Sequence, residues 1–205
     1  MNAPEQPELE SEIENIFEYE LLKYSSADVS WRRQVEFQTI GGLFRPDFVA
    51  SVSGCAIGLE CDGRGFHDLI RDECRDALIL GDGFLNTIYR FTGKNIFRWP
   101  ADCLYFLSLY EPWLFSARGH NNLRTLASPE LRAHEPGLDS SILIYRDFIA
   151  DDGSSAVGQL IIIRRSSDPH PTPPIDDWRE FYEFARGRGG GRFKTLLQEY
   201  NRNHA

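Results

Sequence analysis

The amino-acid sequence predicts an α/β sandwich built around a mixed central sheet. Near the N-terminus apolar residues recur at helical spacing, and the segments that follow alternate apolar and polar residues as strands do. A helical pattern, a strand pattern and a further helical pattern come next. The order helix, three strands, helix, strand, helix is typical of a sheet with helices packed on its faces.

The first four elements are predicted between residues 8 and 62. Residues 8–24 carry one apolar stripe at helical spacing, which predicts a helix. The segments RQVEFQTI and LFRPDFVAS flank Gly41 and Gly42, which predicts a hairpin, and CAIGLECD supplies the third strand.

The later elements of this core alternate in type. Residues 68–80 predict a helix that ends at the glycines of residues 81–83, and FLNTIYRF predicts a strand. Residues 100–115, rich in Leu, Tyr and Trp, predict another helix. These elements complete a core that we place at residues 8–118.

Residues 119–205 are predicted to form a C-terminal extension. Alternating residues around DDGSS indicate a hairpin at about 141–165, and the prolines of 166–174 favour an extended linker. Residues 175–201 predict a helical tail that the loop RGRGGGRF interrupts. We expect the hairpin to extend or cap the core and the tail to cover a surface.

Composition and chain features limit the class of protein. The chain has 205 residues, of which 41% are hydrophobic, enough for one good core. The sequence has no apolar run near the roughly 20 residues that span a bilayer, and its acidic N-terminus is unlike a secretory signal. Four cysteines without a C-x-x-C pair suit reduced thiols. A cytoplasmic protein that does not enter a membrane is expected.

The formal net charge of −9 argues against tight binding of nucleic acid by charge alone. Its distribution weakens that objection. Residues 1–30 hold eight acids and one Lys, a charge of −7, which leaves −2 for residues 31–205. A face that binds nucleic acid therefore remains compatible with the composition, above all if divalent cations neutralise the acids locally.

Three carboxylates are expected to lie close together. Side chains alternate along a strand, so Glu60 and Asp62 share one face of theirs. A tight turn near residues 51–54 would return the chain and place Asp47 beside Glu60. Carboxylates this close repel one another unless a cation joins them, and a set of oxygen ligands favours Mg²⁺ or Mn²⁺ over zinc.

These residues and their neighbours resemble the PD-(D/E)XK nuclease superfamily, and most closely the branch of the very-short-patch repair endonucleases. The resemblance covers about residues 11–110 and depends on the order and spacing of short pieces. The pieces are Glu14 in SEIENIF, Asp47 in RPDFVA, ECDG at residues 60–63, His67 in GFH, RDECRD at residues 71–76 and RFTG at residues 90–93. Asp62 occupies the position of the superfamily's Lys.

The resemblance implies a restriction-endonuclease-like α/β/α core and a metal-dependent endonuclease that hydrolyses phosphodiester bonds in DNA, in repair or defence. Mg²⁺ or Mn²⁺ would be held by Asp47, Glu60 and the backbone carbonyl of Cys61. Asp62 or Glu14 would support this ion or a second one. His67 would position or deprotonate the attacking water.

Five basic residues are candidates to contact the phosphates of DNA, because guanidinium and ammonium groups pair with phosphate oxygens. Two of them lie in the helix that follows the carboxylates. The five are Arg64, Arg71, Arg75, Arg90 and Lys94.

Each candidate also has a purely structural interpretation. Asp47 would be an ordinary strand-end acid, Glu60 the partner of Arg45, Arg75 or Arg90, and Asp62 part of an Asp-Gly turn. Glu14 would form a capping box with Ser11, and His67 would be a loop residue without a role.

The pattern of Arg71, Asp72, Arg75 and Asp76 also indicates weak ion pairs along a solvated helix, above all for Asp76. The alternative at the level of the whole protein is a nuclease-like module without activity. Such a module would bind nucleic acid or a partner protein, with the C-terminal extension as one surface for that partner.

Overall fold

The computed structural model describes residues 12–62, 69–137, 142–149, 152–168 and 178–204. Most of its strands form one sheet with the spatial order β1-β4-β5-β6-β8-β7. The strands of this sheet are β1 (Ser30–Arg33), β4 (Phe48–Val52), β5 (Cys55–Asp62), β6 (Thr87–Thr92), β7 (Ile142–Ile149) and β8 (Ser155–Ser166). A separate hairpin consists of β2 (Phe37–Thr39) and β3 (Gly42–Phe44).

Helices cover both faces of the main sheet. The helices are α1 (Glu12–Tyr24), α2 (Leu69–Gly81), α3 (Gly93–Arg98), α4 (Pro100–Tyr110), α5 (Ala117–Leu126), α6 (Pro129–Arg132), α7 (Trp178–Gly187) and α8 (Phe193–His204), with a short 3₁₀ turn at Pro112–Leu114. β5 and β6 are parallel and joined through α2, and the other neighbours are antiparallel. The predicted α/β fold with a mixed sheet is confirmed.

Two apolar cores lie on opposite faces of this sheet, because side chains alternate along each strand. In β6, Tyr89 packs with α1 and α4, whereas Ile88 packs with α2 and α7. In β5, Leu59 belongs to the first core, and Glu60 faces the side of α2. The predicted alternation of side chains along β5, with Leu59 and Glu60 on opposite faces, is therefore confirmed.

A tight turn joins β4 to β5, as predicted. Ser53 (φ 44°) and Gly54 (φ 87°) both have left-handed backbone conformations, the geometry of a two-residue hairpin. The register pairs Phe48 with Leu59, so the residue before β4 lies beside the end of β5. This register sets the position of Asp47.

Several elements were not predicted or begin elsewhere. The segment LFRPDFVAS divides into β3 and β4 around Pro46, which has no N–H to donate to a ladder. Thr92 ends β6 and caps α3, because its hydroxyl accepts a hydrogen bond from the N–H of Asn95 (3.2 Å). The predicted helix at residues 100–115 ends earlier, in α4, and β1, α3, α5 and α6 were not predicted.

The C-terminal hairpin extends the central sheet. β8 forms an antiparallel pair with β6, and Leu160 and Ile162 are fully buried in the core. Residues 155–166 therefore belong to the same sheet as β1, β4, β5 and β6 of the predicted core. Most of the predicted linker lies outside the described residues.

The helical tail packs against α2. The ring of Tyr182 in α7 lies against Gly81, and its hydroxyl donates to Asp82 (3.0 Å). The Arg-Gly segment forms an ordered turn between α7 and α8, where the N–H of Gly191 donates to the carbonyl of Ile40 (2.8 Å). Within the described ranges we find no helix with the length and apolar character that crossing a membrane requires.

Candidate carboxylate site between β4, β5 and α2

The hairpin register brings Asp47 to the end of β5. Its Oδ2 accepts a hydrogen bond from the N–H of Cys61 (2.7 Å), and its Oδ1 accepts one from Gln34 Nε2 (3.2 Å). Burial raises the pKa of Asp47, and the neighbouring charge of Glu14 adds to that effect. Asp47 is thus a partly buried acid beside the backbone of β5.

Glu60 is 4% exposed and forms a close ion pair with α2. Arg75 Nη2 lies 2.6 Å from Glu60 Oε1 and 3.2 Å from the carbonyl oxygen of Arg45. Of the salt bridges considered from the sequence, the one with Arg75 is present. Burial nevertheless raises the pKa of Glu60 to about 8, with Arg75 opposing that shift. The ion pair and the burial act in opposite directions, and burial has the larger effect.

Asp62 has one satisfied and one unsatisfied oxygen. Its Oδ1 accepts a hydrogen bond from Arg90 Nη1 (3.0 Å). Its Oδ2 is buried and has no hydrogen-bond donor in the part of the chain that the structure describes. Burial raises the pKa of Asp62, although Arg90 lowers it. A buried carboxylate oxygen without a donor is costly, so this atom is the clearest position for a ligand in the site.

Arg90 is held inside the protein by Asp76. Its Nε and Nη2 lie 2.8 and 2.6 Å from the two oxygens of Asp76, and the Arg90 side chain is 1% exposed. Arg165 Nη1 reaches the same carboxylate at 2.6 Å. Burial, the largest influence, raises the pKa of Asp76, but the two arginines together hold it below its usual value.

The expectation that Asp76 lies on a solvated helix face was wrong. Asp76 is 0% exposed because the face of α2 that carries it packs against β6 and β8. Spacing along a helix shows which residues share a face, but not whether that face meets solvent. The surrounding strands decide that.

The predicted phosphate-binding residues differ in exposure. Arg71 and Lys94 are exposed, Arg75 is partly buried, and Arg90 is enclosed. In this geometry Arg90 contacts carboxylates rather than a surface ligand. Arg64 lies outside the described residues, and so does His67.

Glu14 is connected to the site through Gln34, a residue that the sequence did not single out. Gln34 Nε2 lies 3.2 Å from Asp47 Oδ1 and 3.4 Å from Glu14 Oε2, and Arg33 forms an ion pair with Glu14 (3.1 Å). Gln34 has a left-handed backbone (φ 51°), and its side chain lies between the two acids. No motif marks such a glutamine. The capping partner Ser11 lies outside the described residues.

Carboxylate oxygens are the type of ligand that a hard divalent cation prefers, although arginines contact two of the three carboxylates. Among the described residues, no three His, Cys, Asp or Glu side chains are grouped closely enough to hold a metal ion. Glu60 is nevertheless buried, Asp62 Oδ2 is buried and has no donor among the described residues, and the pairing of Phe48 with Leu59 brings Asp47 to the end of β5. A cation would offset the burial that raises the pKa of all three carboxyl groups.

Comparison with family models, with curated proteins and with solved structures found no match to this chain. The chemistry of the site therefore follows from its own groups. It combines acceptor oxygens for a cation with guanidinium groups that can contact an anion.

Proposed function

We propose that this chain is a divalent-metal-dependent endonuclease that hydrolyses phosphodiester bonds in DNA, in repair or defence, with Mg²⁺ or Mn²⁺ as its cofactor. The main observation is that Asp47, Glu60 and Asp62 lie at the end of β5, with Glu60 buried and with Asp62 Oδ2 lacking a donor among the described residues. The resemblance of the sequence to PD-(D/E)XK nucleases also supports the proposal, and a restriction-endonuclease-like arrangement of the core is part of it.

In this proposal Asp47, Glu60 and the backbone carbonyl of Cys61 hold the ion, with Asp62 or Glu14 in support. When bound, such an ion would lower the pKa of a water and would neutralise charge on the phosphate oxygens.

The protein groups orient the reactants. Asp62 Oδ2 accepts a hydrogen bond from the attacking water, while Arg90 fixes the other oxygen of the same carboxylate. Arg71 and Arg75 lie in the helix beside the site and stabilise negative charge on the phosphate. His67 takes the proton of the water. Residues 119–205 select the DNA or bind a partner protein.

The arginine pairs favour a second candidate function. Arg75 already contacts Glu60, Arg90 already contacts Asp62, and Asp62 stands where the superfamily has Lys. A site whose carboxylates already have arginine partners suits a nuclease-like module that binds nucleic acid or a protein without cleaving it. The two functions differ in whether the site takes a metal ion.

Cleavage and metal binding separate the two candidates. Supercoiled plasmid and labelled oligonucleotides would be incubated with Mn²⁺, Mg²⁺ or EDTA, using the wild type, Asp47→Asn and Glu60→Gln. Glu130→Gln is the matched control, because Glu130 is exposed in α6. This helix packs through Leu131 into the apolar core on the face of the sheet opposite Glu60, away from the site. The nuclease requires metal-dependent cutting that both site variants lose and the control keeps.

Thermal denaturation with and without Mn²⁺ provides a readout that is independent of activity. The wild type and Glu130→Gln should gain stability from the ion, and the two site variants should gain much less. Absence of cutting together with absence of Mn²⁺ stabilisation in the wild type would support the module instead.

A further inference from the structure

The strand β7 forms one edge of the main sheet. It pairs with β8 residue by residue from Ile142 to Ile149, and no strand of the described chain pairs with its other side. A row of backbone N–H and C=O groups is therefore directed away from the sheet, where a further strand could bind them. Proteins commonly protect such an edge with a bulge, a proline or a lysine, and β7 contains none of these.

Large apolar side chains of β7 are exposed on the face of the sheet that carries α2. Leu143, Tyr145 and Ile149 are 54%, 61% and 69% exposed, and Val157 of β8 lies on the same face and is also exposed. The one acid among them is Asp147, which the register places opposite Val157. An exposed apolar patch beside an unpaired strand edge marks a surface that binds another protein chain.

We propose that a second copy of this chain pairs with β7 along this edge. The two β7 strands run antiparallel about a two-fold axis that passes through the interface at Arg146, so that the two central sheets become one continuous sheet. The proposal is independent of the carboxylate site and of the function proposed for it.

The order of residues along β7 fits a second copy of itself. With the axis at Arg146, Leu143 lies opposite Ile149 of the second copy, and Tyr145 lies opposite Asp147 of the second copy. Apolar side chains therefore meet apolar side chains, and each carboxylate meets a residue with a hydroxyl donor. Both matches occur twice, once on each side of the axis.

The neighbouring registers are less favourable. An axis at Tyr145 would set Leu143 opposite Asp147, which places an apolar side chain against an acid. An axis at Asp147 would set the two Asp147 carboxylates opposite each other, and like charges directly opposite destabilise a strand pair. The pattern of charge along β7 therefore selects the axis at Arg146.

The arginine on the axis directs its charge away from the second copy. Arg146 forms an ion pair with Asp102, which is buried, and its guanidinium lies 5.2 Å from the centre of the Trp99 ring. Trp99 in turn packs on Gly158 of β8, where a Cβ would overlap the indole. These contacts lie on the face of the sheet opposite Leu143 and Tyr145, and they hold β7 against the body of the protein before any partner binds.

Sedimentation equilibrium of the full chain, from nanomolar to high micromolar concentration, tests the pairing. The wild type should show a monomer–dimer equilibrium. Leu143→Lys places a charge opposite Ile149 at both ends of the symmetric interface, so the dissociation constant should rise about a hundredfold. The matched control is Leu126→Lys, because Leu126 is equally exposed but lies in α5, which packs through Leu123 on the other face of the sheet. It should associate as the wild type does.

A mixing experiment tests the register. Ile149→Glu alone should also weaken association. An equal mixture of Leu143→Lys and Ile149→Glu should recover most of it, because the new lysine of one copy then lies opposite the new glutamate of the other. The second apolar pair of that mixed dimer keeps its natural leucine and isoleucine.

Each outcome decides the proposal. A wild type that stays monomeric over the whole range overturns it, whether or not a variant folds, and leaves the edge to another kind of partner. A dimer that Leu143→Lys does not weaken has its interface elsewhere, which also overturns the proposal. If the two variants each lose association but their mixture does not recover it, the pairing about Arg146 is wrong.

Discussion

Arg90 and Asp76 form a two-point ion pair at the centre of the protein, with N–O distances of 2.8 and 2.6 Å and with neither side chain more than 1% exposed. The pair joins the middle of α2 to the central strand β6, and Asp62 at the end of β5 depends on the same arginine. The carboxylate site is therefore built on a buried polar network rather than on a surface loop.

Asp76→Asn should destabilise the fold strongly. The substitution leaves Arg90 buried without its main counter-charge, which costs about 3–5 kcal/mol in the free energy of unfolding. Urea denaturation monitored by circular dichroism measures the loss. Glu183→Gln breaks an exposed pair with Arg186 (2.7 Å) and should cost less than about 1 kcal/mol. A similar small loss for both variants would contradict the role of the buried pair.

The stability of the wild type should depend on pH through Glu60. Its pKa is raised from 4.5 to about 8 in the folded protein, so the folded state holds the proton more tightly than the unfolded state. The contribution is fully present below pH 4.5 and is lost as the pH rises through 8. Relative to Glu60→Gln, the wild type should therefore lose stability between these values.

Urea midpoints measured across this pH range for both proteins provide the test. The comparison isolates Glu60, because Asp47 and Asp62 titrate in both proteins. Parallel pH profiles for the wild type and Glu60→Gln would show that the folded protein does not favour the protonated form.

Gly81→Ala should loosen the contact between α2 and α7. A Cβ at this position would lie 2.2 Å from the ring of Tyr182, which must then move. Overpacking of this kind costs about 1–3 kcal/mol. Gly187→Ala is the matched control, since its Cβ would meet nothing within 4 Å. Thermal denaturation should show a lower midpoint for Gly81→Ala alone, and equal midpoints would contradict the packing.

A chain that ends at residue 137 should not fold cooperatively. Its β6 would lose β8 as an antiparallel neighbour, and the core would lose the fully buried Leu160 and Ile162. The truncated chain should show no sigmoidal thermal transition and should bind a hydrophobic dye. A cooperative transition in this chain would show that residues 12–137 form an independent unit.

Much of the local structure could be predicted from the sequence, because periodicity and turn chemistry act over a few residues. The alternation of side chains along β5 correctly predicted that Glu60 faces away from Leu59, toward α2. The turn at residues 51–54 correctly predicted that Asp47 lies beside β5. The break around Pro46 was missed, although a proline in a strand pattern is a local signal against continuous pairing.

The partners of the charged residues could not be predicted in the same way. Arg165 reaches Asp76 only because β8 inserts beside β6, and no local pattern specifies which strand a distant hairpin will join. Gln34, a left-handed residue just after β1, contacts both Glu14 and Asp47, and neither acid is its neighbour in the sequence.

The sequence by itself determined the type of fold, the two hairpins and the three carboxylates that share one end of β5. The tertiary structure decided which acids are buried and which arginine pairs with each of them. The physical reason is that burial and ion pairing depend on the whole surroundings of a group. Residues far apart in the chain supply those surroundings.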